Sequence, residues 1–323
     1  MRKGLFASAM ALAVTPALAQ YSVIAAETAA GSVGGNTSLY GGLQRYDFAS
    51  AGGSAALGTG IAASQLNDPV GLRFSGGNLF VGNRHGNTLG TGSIQGFAWD
   101  GSNLSGGSTL ATAASSAHQG FHGLDVAPNG DLFVSTVNGG TRRFRDSGSG
   151  FQDIGGTSSG SVRDVLIAPD GSKMYETLLN GSIMITEIQA NGFGTSSTFA
   201  VGGAGAMHQM TWMGGSIFVT SFNTSSVHQV MVDANYNLTS SNAVATYNGA
   251  IGVTFSPDGQ EMYVSSHTGN SIGRFMNNSG SWVANGSIQT GHNMGYLATV
   301  PEPGTFVAMG LGLAAIALRR RKK

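Results

Sequence analysis

A hairpin written five times constrains this chain more than any other feature. It occurs at residues 70–81 (VGLRFSGGNLFV), 122–134 (HGLDVAPNGDLFV), 163–175 (RDVLIAPDGSKMY), 208–219 (HQMTWMGGSIFV) and 251–264 (IGVTFSPDGQEMYV). Each copy is an apolar run, a Gly-Gly or Pro-Asp/Asn-Gly turn and a second apolar run, the pattern of two antiparallel strands. The turn glycines Gly77, Gly130, Gly171, Gly215 and Gly259 are separated by 53, 41, 44 and 44 residues. A third strand follows each hairpin, at 93–97 (SIQGF), 141–144 (TRRF), 182–185 (SIMI), 227–230 (VHQV) and 271–275 (SIGRF), and a weaker fourth comes after it. Four short strands every forty-odd residues predict an all-β protein, a β-propeller. A β-sandwich has no reason to repeat one hairpin at this interval.

The remaining segments predict a sixth blade built from both ends of the chain. Residues 294–300 (MGYLATV) read as a first strand without a continuation, and 21–25 (YSVIA) as the missing second. Residues 43–46 (LQRY) read as a third strand and 54–61 as a fourth. Such a blade pairs edges that would otherwise be exposed. Seven blades are the alternative left open by the 53-residue interval, whose extra length falls at the Gly/Thr-rich segment 87–92. With its Pro-Asp-Gly hairpins and following Ile/Val-x-x-Phe strands, the body resembles the NHL/YVTN-type propellers. That group includes lactonases and the virginiamycin B lyase, so the resemblance implies a fold and leaves function open.

The two ends carry address information. Arg2 and Lys3 precede an apolar stretch, Leu5 to Val14, and Ala17-Leu18-Ala19 supplies a small-x-small cleavage site before Gln20. This is the pattern of a signal peptide, a helical leader over 1–19. At the other end, Pro301, Glu302, Pro303 and Gly304 lead into the uncharged run 305–318 and then Arg319, Arg320, Arg321, Lys322 and Lys323. The run predicts a short transmembrane helix whose basic flank stays cytoplasmic. The Pro-Glu-Pro triplet, apolar run and basic cluster resemble the PEP-CTERM sorting signal of exopolysaccharide-making Gram-negative bacteria. That resemblance implies an exosortase as partner, transient anchoring by the tail, and release to the cell surface or matrix. The domains expected are therefore a signal peptide (1–19), a propeller (20–300) and a sorting tail (301–323).

Composition excludes several functions. The chain has no cysteine, so thiol catalysis, disulfides and Cys-ligated metals are impossible. Its formal charge is zero, but without Arg2, Lys3 and the five tail cations nine basic residues face sixteen acidic ones, a net of −7. An acidic body is unsuited to nucleic acid. No Gly-x-Ser-x-Gly elbow, phosphate loop or calcium-loop pattern is present.

What remains is a set of histidines. His122 and His208 share one repeat position, at the start of a first strand, with Arg163 at that position in the blade between them. His85 and His267 fall between second and third strands, His118 in a loop before a first strand, and His292 before the closing strand. All six map to one propeller face; His228, on a third strand, does not. His122 and His208 could hold a divalent metal, although no cofactor is called for by any paired spacing. Alternatively one acts as general base while Arg163 holds a substrate carboxylate, or the three are simply polar residues lining a wet channel. Arg73, Asp125 and Asp164 also fall on first strands and add charge to the channel wall. Trp99, Trp212 and Trp282 are expected between blades, with sugar stacking as the alternative for an exposed one. Without a complete catalytic set, the reading favoured is a non-catalytic binding or scaffold module of the exopolysaccharide envelope, with polysaccharide or a surface protein as partner. The alternatives are a secreted lactonase or lyase acting through His122, His208 and Arg163, and a scaffold that only displays loops such as 87–92.

Overall fold

The computed structural model describes residues 21–27, 42–57, 66, 68–84, 92–100, 103–112 and 120–301. The expected leader, the tail from Glu302 onward, His85, His118 and most of the 87–92 segment lie outside them. Six four-stranded antiparallel sheets make the propeller, and no helix occurs among the described residues. Five blades are continuous in sequence, spanning residues 69–112, 121–156, 162–200, 207–246 and 250–289 (blades 1 to 5). The sixth pairs Met294–Pro301 with Tyr21–Glu27, then Leu43–Phe48, then Ala56–Leu57. Six is thus the blade count, and the 53-residue interval conceals no seventh. The fourth strand expected over 54–61 forms at Ala56–Leu57.

Turn chemistry explains the hairpins. Gly130, Gly171 and Gly259 each donate their N–H to the residue three before, at 2.8 Å, and adopt φ of +86°, +77° and +69°. That left-handed position closes a three-residue hairpin loop in blade 2 and a four-residue one in blades 3 and 5, and it favours glycine. Proline supplies φ near −65° just ahead of it. The turn acids are spent locally: Asp170 accepts from the Ser172 N–H and Asp258 from the Gln260 N–H.

The core lies between blades. Leu166, Tyr175 and Ile183 of blade 3 pack on Met207, Met210, Ile217 and Val219 of blade 4. Ring closure uses the same principle, with Tyr21, Val23 and Phe48 of the sixth blade against Tyr263 and Ile272 of blade 5. Polar clamps lock two of the seams. Glu261 accepts from Tyr263, Arg274 and the Gly52 N–H at 2.7 Å each. At the equivalent place in blade 2, Asp131 holds Arg143 and Arg145, whose guanidinium groups reach carbonyls at 189 and 190 in blade 3.

Candidate functional site

Each inner strand slips register by a β-bulge near its start. Phe121 pairs with Thr136 and Leu124 with Val134, so His122 and Gly123 oppose a single residue. The same slip falls on Arg163-Asp164 and on His208-Gln209, and on Val70 and Ile251 in blades 1 and 5. A bulge re-aims side chains and steepens the twist, which here turns the repeat position into the channel mouth. In the closing strand the slip lies between Met294 and Leu297, on Gly295 and Tyr296. Two hydrogen bonds fix the equivalence: Ser265 Oγ donates to the Gly295 carbonyl as Ser135 Oγ donates to that of Arg163. Tyr296 therefore stands at the level of Gly123, Asp164 and Gln209, one step below the mouth.

At the mouth the expected residues converge. Arg163 Nη1 lies 3.0 Å from His122 Nε2. An arginine only donates, so that imidazole nitrogen accepts and the His122 proton sits on Nδ1. His122 Nδ1, Arg163 Nε and His208 Nδ1 are all buried and have no hydrogen-bond partner among the described residues. The His208 ring meets Tyr296 and Phe222 edge-on, with centroids 6.5 and 5.9 Å away, and Phe222 meets His267 at 6.1 Å. Phe222 thus bridges His208 to His267. From the opposite blade the Tyr296 hydroxyl crosses the axis to donate to the Arg163 carbonyl at 2.7 Å, flooring the cup.

Charge at this end is lopsided. Burial, then the Arg163 charge, holds His122 well below the ordinary histidine range. The same two causes, followed by His267, bring His208 down to about 3. Both imidazoles are therefore neutral at physiological pH. Arg84 is neutralised by Asp68, 2.6 Å away, whereas Arg163 has no ion pair among the described residues. The cup presents one uncompensated guanidinium between neutral imidazoles.

Below the floor the channel is plugged. Gln209 Oε1 accepts from the Val253 and Leu297 N–H groups at 2.9 Å, and its Nε2 donates to the Leu297 carbonyl at 2.7 Å. Asp164 Oδ2 accepts from the Met210 N–H at 2.6 Å. Arg73 donates to the Leu124 carbonyl and lies 3.2 Å from Asp125 and 3.8 Å from Asp164. Two buried carboxyls share that one guanidinium, and burial raises Asp164 to about 7. The fit depends on glycine, since a Cβ on Gly123 would lie 1.8 Å from Asp164 Oδ1. Arg73, Asp125 and Asp164 Oδ2 are thus held by their neighbours, while Asp164 Oδ1 is buried without a hydrogen-bond partner among the described residues. The wet channel becomes a cup over a polar plug.

His267 joins His122, Arg163 and His208 at the cup, while His292 is exposed in the loop before the closing strand. His228 is buried on its third strand against Ser226, away from the mouth. Among the described residues no three His, Asp or Glu side chains are grouped to hold a metal ion. Trp99 and Trp282 pack in the seams. Trp212 packs there too, donating to the Ile167 carbonyl at 2.9 Å, while also lining two cavities on the opposite face. Tyr296 and Phe222 escaped the sequence reading. Tyr296 had one available signal, as the aromatic beside the expected glycine of a first strand.

Residues 299–322 match the model for the PEP-CTERM protein-sorting motif. Curated protein sequences give no match to the chain. Among solved structures it resembles the periplasmic gluconolactonase of Pseudomonas aeruginosa, with a TM-score of 0.62 and 18% identity over 88% of this chain and 100% of that one. A putative 6-phosphogluconolactonase of Bacteroides fragilis aligns with a TM-score of 0.57 and 13% identity, covering 87% and 98%. A chain of a nidogen/laminin complex aligns at 0.61 and 12%, also covering 87% and 98%. At such identities the likeness is one of fold. The motif implies secretion, sorting by an exosortase and transient anchoring in the membrane before processing. The chain is a six-bladed β-propeller carrying a PEP-CTERM sorting motif.

Proposed function

We propose that this protein is an exported binding module of the cell envelope whose mouth cup takes a carboxylate-bearing sugar of the surface polysaccharide. The observation that carries the reading is the unpaired Arg163 beside neutral His122, with Arg163 Nε and His122 Nδ1 both buried and unpartnered. Leaving a buried donor unsatisfied costs about 1–3 kcal/mol, and a carboxylate supplies the acceptors and the missing negative charge together. The half-buried Phe222, between His208 and His267, adds apolar surface suited to a sugar face.

A catalytic role has a specific obstacle. An efficient general base titrates near the working pH, whereas His208 is held at about 3 and His122 Nε2 already accepts from Arg163. The lactonase alternative rests on the adjacency of His122 and Arg163 at the mouth and on the fold shared with a gluconolactonase. Final placement at the cell surface or matrix follows from processing of the tail.

Adsorption of the body (residues 20–300) to an acidic exopolysaccharide and to its carboxyl-reduced form tests the proposal. Binding to the acidic form only, weakened at least tenfold by Arg163→Gln, is the expected result. Equal adsorption to both forms would remove the carboxylate reading. Hydrolysis of sugar lactones above the spontaneous rate, lost in a His122→Ala/His208→Ala double variant, would replace binding with catalysis.

A further inference from the structure

The sorting motif begins where the other blades make their hairpin turn. Leu297 and Val253 are equivalent, because each donates its N–H to Gln209 Oε1. Four residues further on, Pro301 stands where blade 5 has Pro257 of its Pro-Asp-Gly turn. Pro301 is still in the ladder, in register with Tyr21, the first described residue after the leader. Inner strands run from the cup to the turn face, so the tail leaves the propeller at the end opposite His122, Arg163 and His208.

Only Glu302, Pro303 and Gly304 separate Pro301 from the uncharged run 305–318. Four Cα-to-Cα steps reach at most about 14 Å, and the headgroup layer on one side of a bilayer is roughly 5–7 Å thick. No linker therefore lets the body stand off from the membrane. We infer that, while the tail is anchored, the turn face of the propeller rests on the lipid headgroups and the His122–Arg163 cup points away from the membrane.

The chemistry of the turn face suits that partner. Two cavities of about 560 and 480 Å³ open on it, both lined by Pro169 and Trp212, with Phe80 and Pro128 in the first and Tyr236 in the second. Tryptophan and tyrosine with a polar end are favoured at headgroup depth. Around them stand exposed Asp170, Asp233 and Asp258, with Lys173 beside the first two. The face thus carries mixed charge with acids in excess and fits a zwitterionic headgroup layer better than an anionic one. This inference is independent of what the cup binds.

The cysteine-free chain allows a clean test. Asp170→Cys and Asp258→Cys place a thiol on the turn face, and Asn223→Cys places one at the cup rim. Each full-length variant, unprocessed, is labelled with an environment-sensitive fluorophore and reconstituted into phosphatidylethanolamine/phosphatidylcholine vesicles containing headgroup spin-labelled lipid. Quenching at 170 and 258 several-fold above that at 223 is expected. A twelve-residue Gly/Ser insertion after Pro303 should shrink the difference. Equal quenching on the two faces without the insertion, or stronger quenching at 223, would overturn the inference.

Discussion

Arg163 and Asp164 are neighbours in sequence, as are His208 and Gln209, yet the members of each pair have opposite circumstances. Asp164 and Gln209 point into the plug, where each caps backbone N–H groups of another blade. Arg163 and His208 stand one step higher and keep buried nitrogens without partners. The two levels share strand and bulge. They differ in burial, Asp164 and Gln209 being 1% exposed and Arg163 and His208 half-buried. They differ also in what they hold: the lower level caps N–H groups of other blades, although Asp164 Oδ1 too lacks a partner among the described residues, and the upper level caps none.

Substitutions at the two levels should therefore diverge. The largest effect is expected for Gly123→Ala, whose Cβ would meet Asp164 Oδ1 at 1.8 Å and its Cα at 2.6 Å. A loss of about 3 kcal/mol or more in urea denaturation is expected, as overpacking displaces the plug. Next is Gln209→Leu, which leaves the Val253 and Leu297 N–H groups without their acceptor and should cost about 2–4 kcal/mol. A near-neutral result for either would mean that the plug is not what holds the blades in register.

Asp164→Asn sharpens the comparison through pH. With its folded pKa raised from 3.8 to about 7, Asp164 keeps its proton in the folded state after the unfolded chain has released it. Folding then takes up a proton between pH 4 and 7, so this group makes stability fall as pH rises through that window. His208, lowered to about 3, acts in the opposite sense, making stability rise between pH 3 and 6.5. The difference between wild type and Asp164→Asn isolates the carboxyl. It should change by about 2 kcal/mol from pH 4 to 7, half of the full linkage being absorbed by relaxation of the site. A difference curve flat with pH would assign Asp164 to the ordinary carboxylates.

The smallest effect on stability is expected at the mouth. Arg163→Gln keeps the backbone carbonyl that Tyr296 uses and removes a side chain with an unsatisfied nitrogen. Its melting transition should move by less than about 1 kcal/mol while ligand affinity falls at least tenfold. A loss as large as that of Gln209→Leu would place Arg163 with the plug.

Much of this was legible in the residues. The Pro-Asp-Gly turns and the 44-residue interval are local, covalent information, and even ring closure could be read from unpaired strands at the two ends. So could the meeting of His122, Arg163 and His208, because a repeat position is also a place in space. The adjacent level was not legible. Asp164 and Gln209 look like ordinary strand residues, and their partners, the N–H groups of 210, 253 and 297, lie 44 to 88 residues away. Tyr296 was hidden by a one-residue offset, since Met294-Gly295 aligns by type with Ile251-Gly252 while the bulge aligns Gly295 with Ile251.

The sequence by itself determined the blade, the closing of the ring by both ends and the C-terminal sorting motif, because turns and strand alternation follow from chemistry between near neighbours. Six blades against seven was left to the structure. Only the tertiary structure decided that the channel is a cup and not a pore, which polar groups are already satisfied, and that the sorting motif leaves opposite the mouth. Those outcomes depend on which blade faces which across the axis and on where a bulge shifts the register. Distances across the ring, not propensities along the chain, set them.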